Sequence, residues 1–412
     1  MPAIAQVPAA TGMSHARRMF CVALLVLLGF TLGCSEFVVI GIETEIADAF
    51  GVTLQQAGLA VSVFAITYAV CTPLLAMFTG RFRRHPLLVT YALLFCLGNA
   101  IAAAAPTFEV LLASRVLIGA VSGAFLAVGV TFIPELLGRG NTSIAISLVY
   151  GAFSIAMVVA TSAGKVIADT VGWHAAMVLV LVFAVAVSAA LLIFLPRQGS
   201  TDEPATVRDQ LDLLAEPIVP VGIAIFVFGV GAVYVFYGYI TPYLEQVMGL
   251  SSLAVSGVLV AYGVACLFSN LISGWCDARF GIRVLAPTFM VQALLLLALF
   301  LLSGAMPASL VVVVAIAVSM YVLSVPCVTM FMKTAYDRHP KALTLASSIE
   351  PMAFNIGIAF GTAVGGMVVA GPGLRFAGAV GAVLDIVACA LALTCVRMER
   401  RAVQSRRSDA LR

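Results

Sequence analysis

Residues 19–41 read MFCVALLVLLGFTLGCSEFVVIG, an apolar run that contains one carboxylate, Glu36. Its length matches the roughly 20 residues that a helix needs to cross a bilayer core about 30 Å thick. A charge within a membrane span costs between roughly 2.5 and 17 kcal/mol by competing accounts, so it faces protein or water and usually has a task. Glu36 is therefore the first candidate functional residue.

The rest of the chain has the same composition. Of its 412 residues, 62% are hydrophobic and only 10% are charged, which is more apolar than a soluble core requires. Further apolar runs of spanning length lie at about 56–79, 86–105, 109–137, 142–167, 174–196, 218–244, 251–276, 284–304, 308–332, 342–370 and 374–396. We predict an all-α membrane protein of twelve spans.

A polar segment divides these runs into six and six. The predicted organisation is an N-terminal six-helix bundle at 1–196, a cytoplasmic linker at 197–217, a C-terminal six-helix bundle at 218–398 and a basic tail at 399–412. With a cytoplasmic N-terminus, nineteen of the 22 Lys and Arg residues fall on the inner side. Such a bias places both termini in the cytoplasm.

The two halves repeat weakly. Gly51-Val-Thr-Leu after the first span matches Gly249-Leu-Ser-Ser after the seventh, and the segment that starts at Gly80 after the second matches the one that starts at Gly274 after the eighth. Internal repeats of this kind are typical of secondary transporters, which place the substrate near the bilayer midplane between the repeats.

Residues 274–283, GWCDARFGIR, resemble the cytoplasmic loop signature of the major facilitator superfamily. Together with SEFVVIG in the first span, Pro73 before Gly80-Arg81, and Arg115 followed by spaced glycines in the fourth span, the chain is similar over nearly its whole length to the twelve-span drug:proton antiporter branch. Within that branch it resembles the sugar and multidrug efflux proteins.

This resemblance implies two pseudo-symmetric six-helix bundles that export small molecules by alternating access, with protons as the coupling ion and no other cofactor. It also implies that the loop motif stabilises one access state through charge contacts of Asp277 and Arg279. The motif residues are Gly274, Asp277, Arg279, Gly281 and Arg283, with Gly80 and Arg81 as the degenerate first copy.

Two departures from the family pattern keep other possibilities open. Ser162 stands where the antiporter motif of the fifth span has proline, so an importer of a nutrient, either a proton symporter or a facilitator, remains the alternative. Glu350 in the eleventh span stands where relatives often have a neutral amide. A carboxylate there favours a substrate with a positive charge or a hydroxyl group.

Depth along the helices links two charges. Glu36 is about 17 residues from the cytoplasmic end of its span and Arg115 roughly 9 Å inside the outer face, at 1.5 Å per residue. Both lie in the outer third, so we predict a charge interaction, direct or through water. Burial disfavours an ionised carboxyl and a nearby arginine favours it. Glu36 can then exchange the coupling proton; the alternative is a permanent pair that only fixes helix packing.

The candidate substrate-binding residues lie on cavity-type helices. Glu350 is near the midplane beside Pro351, and aromatic side chains on the seventh span suit flat, cationic or sugar ligands. The candidates are Glu350, Asn355, Tyr234, Tyr237 and Asn270. Local capping or helix–helix hydrogen bonding is the competing explanation for the acid and the two amides.

Chemistry other than transport has little support. The nine cysteines show no metal or redox spacing, and no catalytic acid pair or Ser/His set is evident. We expect a non-enzymatic, multi-pass protein of the cell inner (plasma) membrane, acting as a monomer on a small-molecule substrate within the lipid bilayer, with no metal and no nucleic acid partner.

Overall fold

The computed structural model describes residues 13–79, 82–137, 142–196, 207–303, 305–339 and 342–410. Within these ranges the regular structure is helical. The helices are α1 (His15–Gly41), α2 (Glu43–Phe50), α3 (Leu54–Ala57), α4 (Leu59–Thr79), α5 (Arg84–Ala103), α6 (Phe108–Val130), α7 (Ile133–Leu137), α8 (Thr142–Thr170), α9 (Trp173–Phe194), α10 (Val207–Leu214), α11 (Ile218–Tyr237), α12 (Ile240–Pro242), α13 (Ser252–Phe280), α14 (Leu285–Leu301), α15 (Met306–Met320), α16 (Ser324–Arg338), α17 (Leu343–Ala370) and α18 (Ala377–Ala410).

Eleven helical stretches of the described chain are long and apolar enough to cross a membrane. One of them, Ser252–Leu301, has 50 residues, about 75 Å at 1.5 Å per residue, more than twice the roughly 30 Å of a bilayer core. It contains α13 and α14, separated at Gly281, whose φ of 55° suits glycine. Counted as two, these helices give twelve spans, and the predicted all-α membrane fold is confirmed.

Three of the predicted runs are interrupted by two or three residues, while the run at 56–79 passes from α3 to α4 at the single residue Gly58. The runs at 109–137, 218–244 and 308–332 each divide into two helical pieces, at 131–132, 238–239 and 321–323. Each interruption precedes a proline: Pro134, Pro242 and Pro326. Proline lacks the N–H that would bond the carbonyl four residues earlier, and its ring clashes with that carbonyl. Those carbonyls belong to residues 130, 238 and 322, at or just beyond the ends of α6, α11 and α15.

The chain forms two compact units, one of residues 1–42 and 70–204 and the other of residues 43–69 and 205–412. In the first unit α1 packs on α8, α9 and α6, and α5 packs on α6 and α9. In the second unit α11 packs on α17 and α18, α14 on α18 and α15, and α13 on α15 and α16. The short helices α2 and α3 belong to this second unit.

Glycines bring helix backbones together in both units. A Cβ at Gly33 would lie 2.7 Å from the Cβ of Ala156, which shows how closely α1 approaches α8. In the second unit, a Cβ at Gly361 would lie 2.7 Å from the Cα of Gly231 on α11. Small residues permit such close approach between helices in a bilayer.

Candidate functional site

Glu36 and Arg115 meet inside the first unit. The guanidinium of Arg115 on α6 donates hydrogen bonds to the backbone carbonyls of Ser35 (2.6 Å) and Glu36 (3.1 Å) on α1. The two side chains are buried, with exposures of 1% for Arg115 and 6% for Glu36. The structure therefore brings together the two charges that depth along the helices had linked, and it anchors the arginine on the backbone next to the carboxyl.

A third residue fixes the same part of α1. The Ser35 hydroxyl donates to Oδ1 of Asn99 on α5 (2.8 Å), and the Asn99 amide donates to the carbonyl of Phe95 (2.9 Å). Asn99 is 3% exposed. The sequence analysis missed this residue, although an amide within an apolar run of spanning length was a readable signal.

This arrangement suits a proton exchanger. Because Arg115 is held by two main-chain carbonyls, it keeps partners whether the neighbouring carboxyl is ionised or neutral. A buried charge that loses its partner otherwise costs several kcal/mol, roughly 3 to 5. The geometry therefore lowers the cost of neutralising Glu36 by protonation.

A row of aromatic rings lies in the second unit. Tyr262 stacks on Tyr237 (ring centroids 4.8 Å apart), Tyr237 contacts Tyr234 edge to face (5.3 Å), Tyr234 contacts Phe354 (6.3 Å), and Phe354 stacks on Tyr321 (5.3 Å). We call these five residues the aromatic row. They come from α13, α11, α17 and the break between α15 and α16. Tyr234 and Tyr237 were predicted; the other three were not.

The predicted acid and amide of α17 stand beside this row. Glu350 is one helical turn before Phe354 and lies next to Ser324 and Cys327 of α16. Asn355 is 5% exposed, and its amide donates to the carbonyl of Pro351 (3.1 Å). Glu350 is half-buried. The structure thus brings Glu350, Asn355, Tyr234 and Tyr237 into one region.

Burial differs along the aromatic row. Tyr234, Tyr237 and Tyr262 are at most 1% exposed, whereas Tyr321 is half-buried. Tyr321 and Glu350 are therefore more exposed than the three buried tyrosines. Contact of a solute with Tyr234 or Tyr237 requires side chains of the row to move.

Asn270 is not brought to the row by its described hydrogen bond. It lies on α13, is half-buried, and its amide donates to the carbonyl of Cys266 one turn earlier (3.1 Å). This bond lies within α13, so it is not the bond between helices that the sequence analysis gave as the alternative role of Asn270.

The second-half loop motif spans the end of α13. Oδ2 of Asp277 accepts a hydrogen bond from the hydroxyl of Thr329 on α16 (2.8 Å), and the guanidinium of Arg279 lies 5.8 Å from the ring centre of Trp275. Neither residue forms an ion pair with another residue that the structure describes, and the contacts found here are with a hydroxyl donor and an aromatic ring.

The two glycines of the second-half loop motif, Gly274 and Gly281, differ in what the structure requires of them. Gly281 has a φ of 55° and ends α13, and the exposed Arg283 follows in the short 3-10 turn before α14. A Cβ at Gly274 would meet nothing within 4 Å, so Gly274 is not required for close packing here. Gly80 and Arg81, the predicted first copy, lie outside the described residues.

Four buried polar side chains, Asp385, Gln292, Lys165 and Glu43, lie apart from these regions. Asp385 on α18 accepts a hydrogen bond from Gln292 on α14 (3.3 Å), and Gln292 also donates to the carbonyl of Gly229 on α11 (3.2 Å). This arrangement ties three helices together. Lys165 on α8 is 2% exposed and pairs with Asp169 one turn later (3.0 Å). Glu43, which the sequence analysis did not consider, is 0% exposed.

Comparison with known proteins agrees with this architecture. The model of the Major Facilitator Superfamily matches residues 25–349. In structure, the chain resembles a bacterial homologue of the human lysosomal transporter Spinster, with a TM-score of 0.76 at 16% identity over 93% of this chain and 98% of that one. At this identity the likeness concerns the fold alone.

Relatives in sequence are transporters. The chain is 28% identical to the MFS-type transporter YtbD of Bacillus subtilis, over 94% of this chain and 99% of that protein. It is 27% identical to the inner membrane transport protein YdhP of Escherichia coli (91% and 95%) and 26% identical to a probable sugar efflux transporter of Mannheimia succiniciproducens (89% and 91%). These are transporters and not enzymes, and the chain is a multi-pass membrane protein that belongs to the major facilitator superfamily.

Proposed function

We propose that the protein is a proton-coupled secondary transporter that exports a small molecule across the cell inner membrane by alternating access. The observation that carries the proposal is the buried contact of Glu36 with an arginine anchored on main-chain carbonyls. A proton can enter and leave such a carboxyl without leaving the arginine unpartnered, which coupling requires.

In this proposal the substrate site is the end of the aromatic row in the second unit where Tyr321 and Glu350 are half-buried. Tyr321 and Phe354 stack with centroids 5.3 Å apart and an interplanar angle of 7°; Phe354 is buried at 8% exposure, so the half-buried Tyr321 is the ring proposed to receive the ligand. Glu350 supplies a carboxyl one turn away, and Asn355 an amide. Aromatic faces next to a carboxyl attract organic cations and also sugar hydroxyls. Asn270 is retained as a more distant orienting residue.

The loop motif sets the access state, together with Gly80 and Arg81. The halves 1–196 and 218–398 act as the two bundles joined by the linker 197–217, and both termini are cytoplasmic. The names of YdhP and of the Mannheimia relative support the inner-membrane location and the outward direction.

Import remains the second candidate, because α8 is an uninterrupted helix from Thr142 to Thr170 with Ser162 at the position where the antiporter motif has proline. Everted membrane vesicles separate the two directions. An exporter accumulates its substrate in everted vesicles and dissipates an inside-acid pH gradient as it does so. Uptake only into right-side-out vesicles, driven by an inward proton gradient, would show that the protein is a symporter that imports its substrate and not an exporter.

The substrate class is tested with a panel of ethidium, a neutral antibiotic, a nucleoside and a disaccharide in the same vesicles. A protein with Glu350→Gln should lose at least tenfold in apparent affinity for a cationic substrate. Glu109→Gln, an exposed acid at the start of α6, is the matched control and should change nothing.

A further inference from the structure

The two short helices after the first span, α2 and α3, form a segment (residues 43–57, the α2–α3 segment) that is built into the second unit. α3 packs against α17, and α2 packs against α12. Gly51, with a φ of 64°, makes the turn between them, and Thr53 and Gln56 form a capping box at the start of α3. The segment is therefore locally ordered as well as packed.

Tyr239 is the side chain on which this packing is centred. It is 1% exposed, and its hydroxyl donates to the carbonyl of Thr362 on α17 (3.2 Å). Gly58 and Gly366 leave room for it, since a Cβ at Gly366 would lie 2.8 Å from the hydroxyl oxygen and a Cβ at Gly58 would overlap it. A second contact joins the hydroxyl of Thr44 to the Glu245 carboxylate (3.2 Å).

Glu43 is enclosed in this packing without a partner. It is 0% exposed, and neither carboxyl oxygen has a hydrogen-bond donor among the described residues. No described basic side chain pairs with Glu43. Its own negative charge, when present, acts on the neighbouring Tyr239. Burial raises the pKa of Glu43 well above its usual range.

Among the described residues, the titratable groups of the elements packed against the segment are acidic or phenolic. α3 carries no titratable side chain, and α17 contributes only Glu350, about 18 Å along the helix from Thr362. The titratable residues of α2 and of the region 238–247 are Glu45, Asp48, Tyr239, Tyr243 and Glu245. Arg375 acts on Tyr243. An ionised Glu43 in the packed segment would thus be a buried anion among acidic and phenolic groups.

From this geometry we propose that Glu43 is a second proton-binding site, separate from Glu36, and that its protonated form holds the α2–α3 segment against α12 and α17. Ionisation makes the packed state costly, because an unpaired buried charge is far less stable than a hydrated one. The segment then leaves its position and Glu43 becomes hydrated.

The sign and size of the effect follow from linkage. The packed state binds the proton more tightly than the released state, so low pH favours packing. Packing weakens as pH rises from the ordinary glutamate value of about 4.3 toward the higher value of the packed state, by about tenfold in the packing equilibrium per pH unit.

Hydrogen–deuterium exchange of the full chain in lipid nanodiscs between pH 5 and pH 9, corrected for intrinsic exchange, tests this proposal. Wild-type amides at 46–57 should lose protection by up to tenfold per pH unit within that range. Glu43→Gln should keep the low-pH protection throughout. Asp48→Asn, which changes an exposed acid on the same helix, should titrate as the wild type does.

Constant wild-type protection from pH 5 to pH 9 would overturn the proposal, and so would a Glu43→Gln protein that still titrates. Sodium chloride and choline chloride are compared at each pH. Protection restored at high pH by sodium alone would mean that a metal cation, not a proton, occupies the site. None of these measurements depends on transport, so their outcome is independent of whether Glu36 couples transport to protons.

Discussion

Glu36→Gln should uncouple transport from protons while leaving the protein folded. The amide has nearly the same volume as the carboxyl, and Arg115 keeps both of its main-chain acceptors, at 2.6 and 3.1 Å. Hydrogen bonds to charged groups contribute about 1.5–3 kcal/mol each. We therefore expect a loss of about 1–3 kcal/mol in stability, less than the roughly 3–5 kcal/mol for breaking an otherwise unsupported buried pair.

The transport effect should be larger. Exchange of one proton for one neutral substrate molecule allows about a tenfold concentration ratio per pH unit, because one unit corresponds to 1.36 kcal/mol. In proteoliposomes with a gradient of two pH units, the wild type can then approach about a hundredfold accumulation. Glu36→Gln should stay near an equal distribution and retain downhill counterflow, and Glu109→Gln should match the wild type. Gradient-driven accumulation by Glu36→Gln at the wild-type ratio would refute this coupling role.

Three further outcomes are expected in thermal unfolding and transport assays. Gly361→Ala would press a methyl group on the backbone of α11 and should destabilise the protein by about 1–3 kcal/mol. The control Gly257→Ala on α13, where a Cβ would have nothing within 4 Å, should not lower Tm. Equal Tm values for the two variants would contradict the close packing at Gly361. Burial raises the pKa of Glu216, but its hydrogen bond with His339 and the charge of a neighbouring arginine together outweigh burial and lower it. Glu216→Gln should therefore lower stability at pH 7 by about 0.5–1.5 kcal/mol, as expected for a partly exposed ion pair. The difference in stability between wild type and variant should disappear as pH falls below about 4, where Glu216 is protonated. A stability difference that persists in acid would contradict this. Gly281→Ala, at a φ of 55° and a ψ of −145°, a conformation essentially confined to glycine, should cost about 1–3 kcal/mol and slow transport. An unchanged Tm would show that the turn accepts a side chain without strain.

Much of the fold could be predicted because a bilayer imposes its thickness on each span. Every predicted run contains a helix, and the linker separates the sixth from the seventh. The three interruptions were also readable, since Pro134, Pro242 and Pro326 follow them by two to five residues. They were missed because Pro73 and Pro351 lie within helices that continue. A proline therefore does not decide by itself whether its helix breaks.

The candidate sites were also predicted only in part from the sequence. Depth arithmetic and family resemblance were enough to bring Glu36 near Arg115, because the predicted directions of their helices place both residues at a similar depth. They did not reveal that the guanidinium is held by carbonyls of α1 or that Asn99 supports Ser35. Those contacts depend on the rotation of α5 and α6 about their axes.

The sequence by itself determined the number of spans and the presence of carboxyls where lipid would not tolerate them, because hydropathy and charge act locally along the chain. Only the tertiary structure decided that Tyr262, Tyr321 and Phe354 continue the row begun by Tyr234 and Tyr237. It also decided that residues 43–57 pack with the second unit and enclose Glu43. In a bilayer all faces of a helix are apolar, so packing between small residues, not the hydrophobic pattern, selects which faces meet.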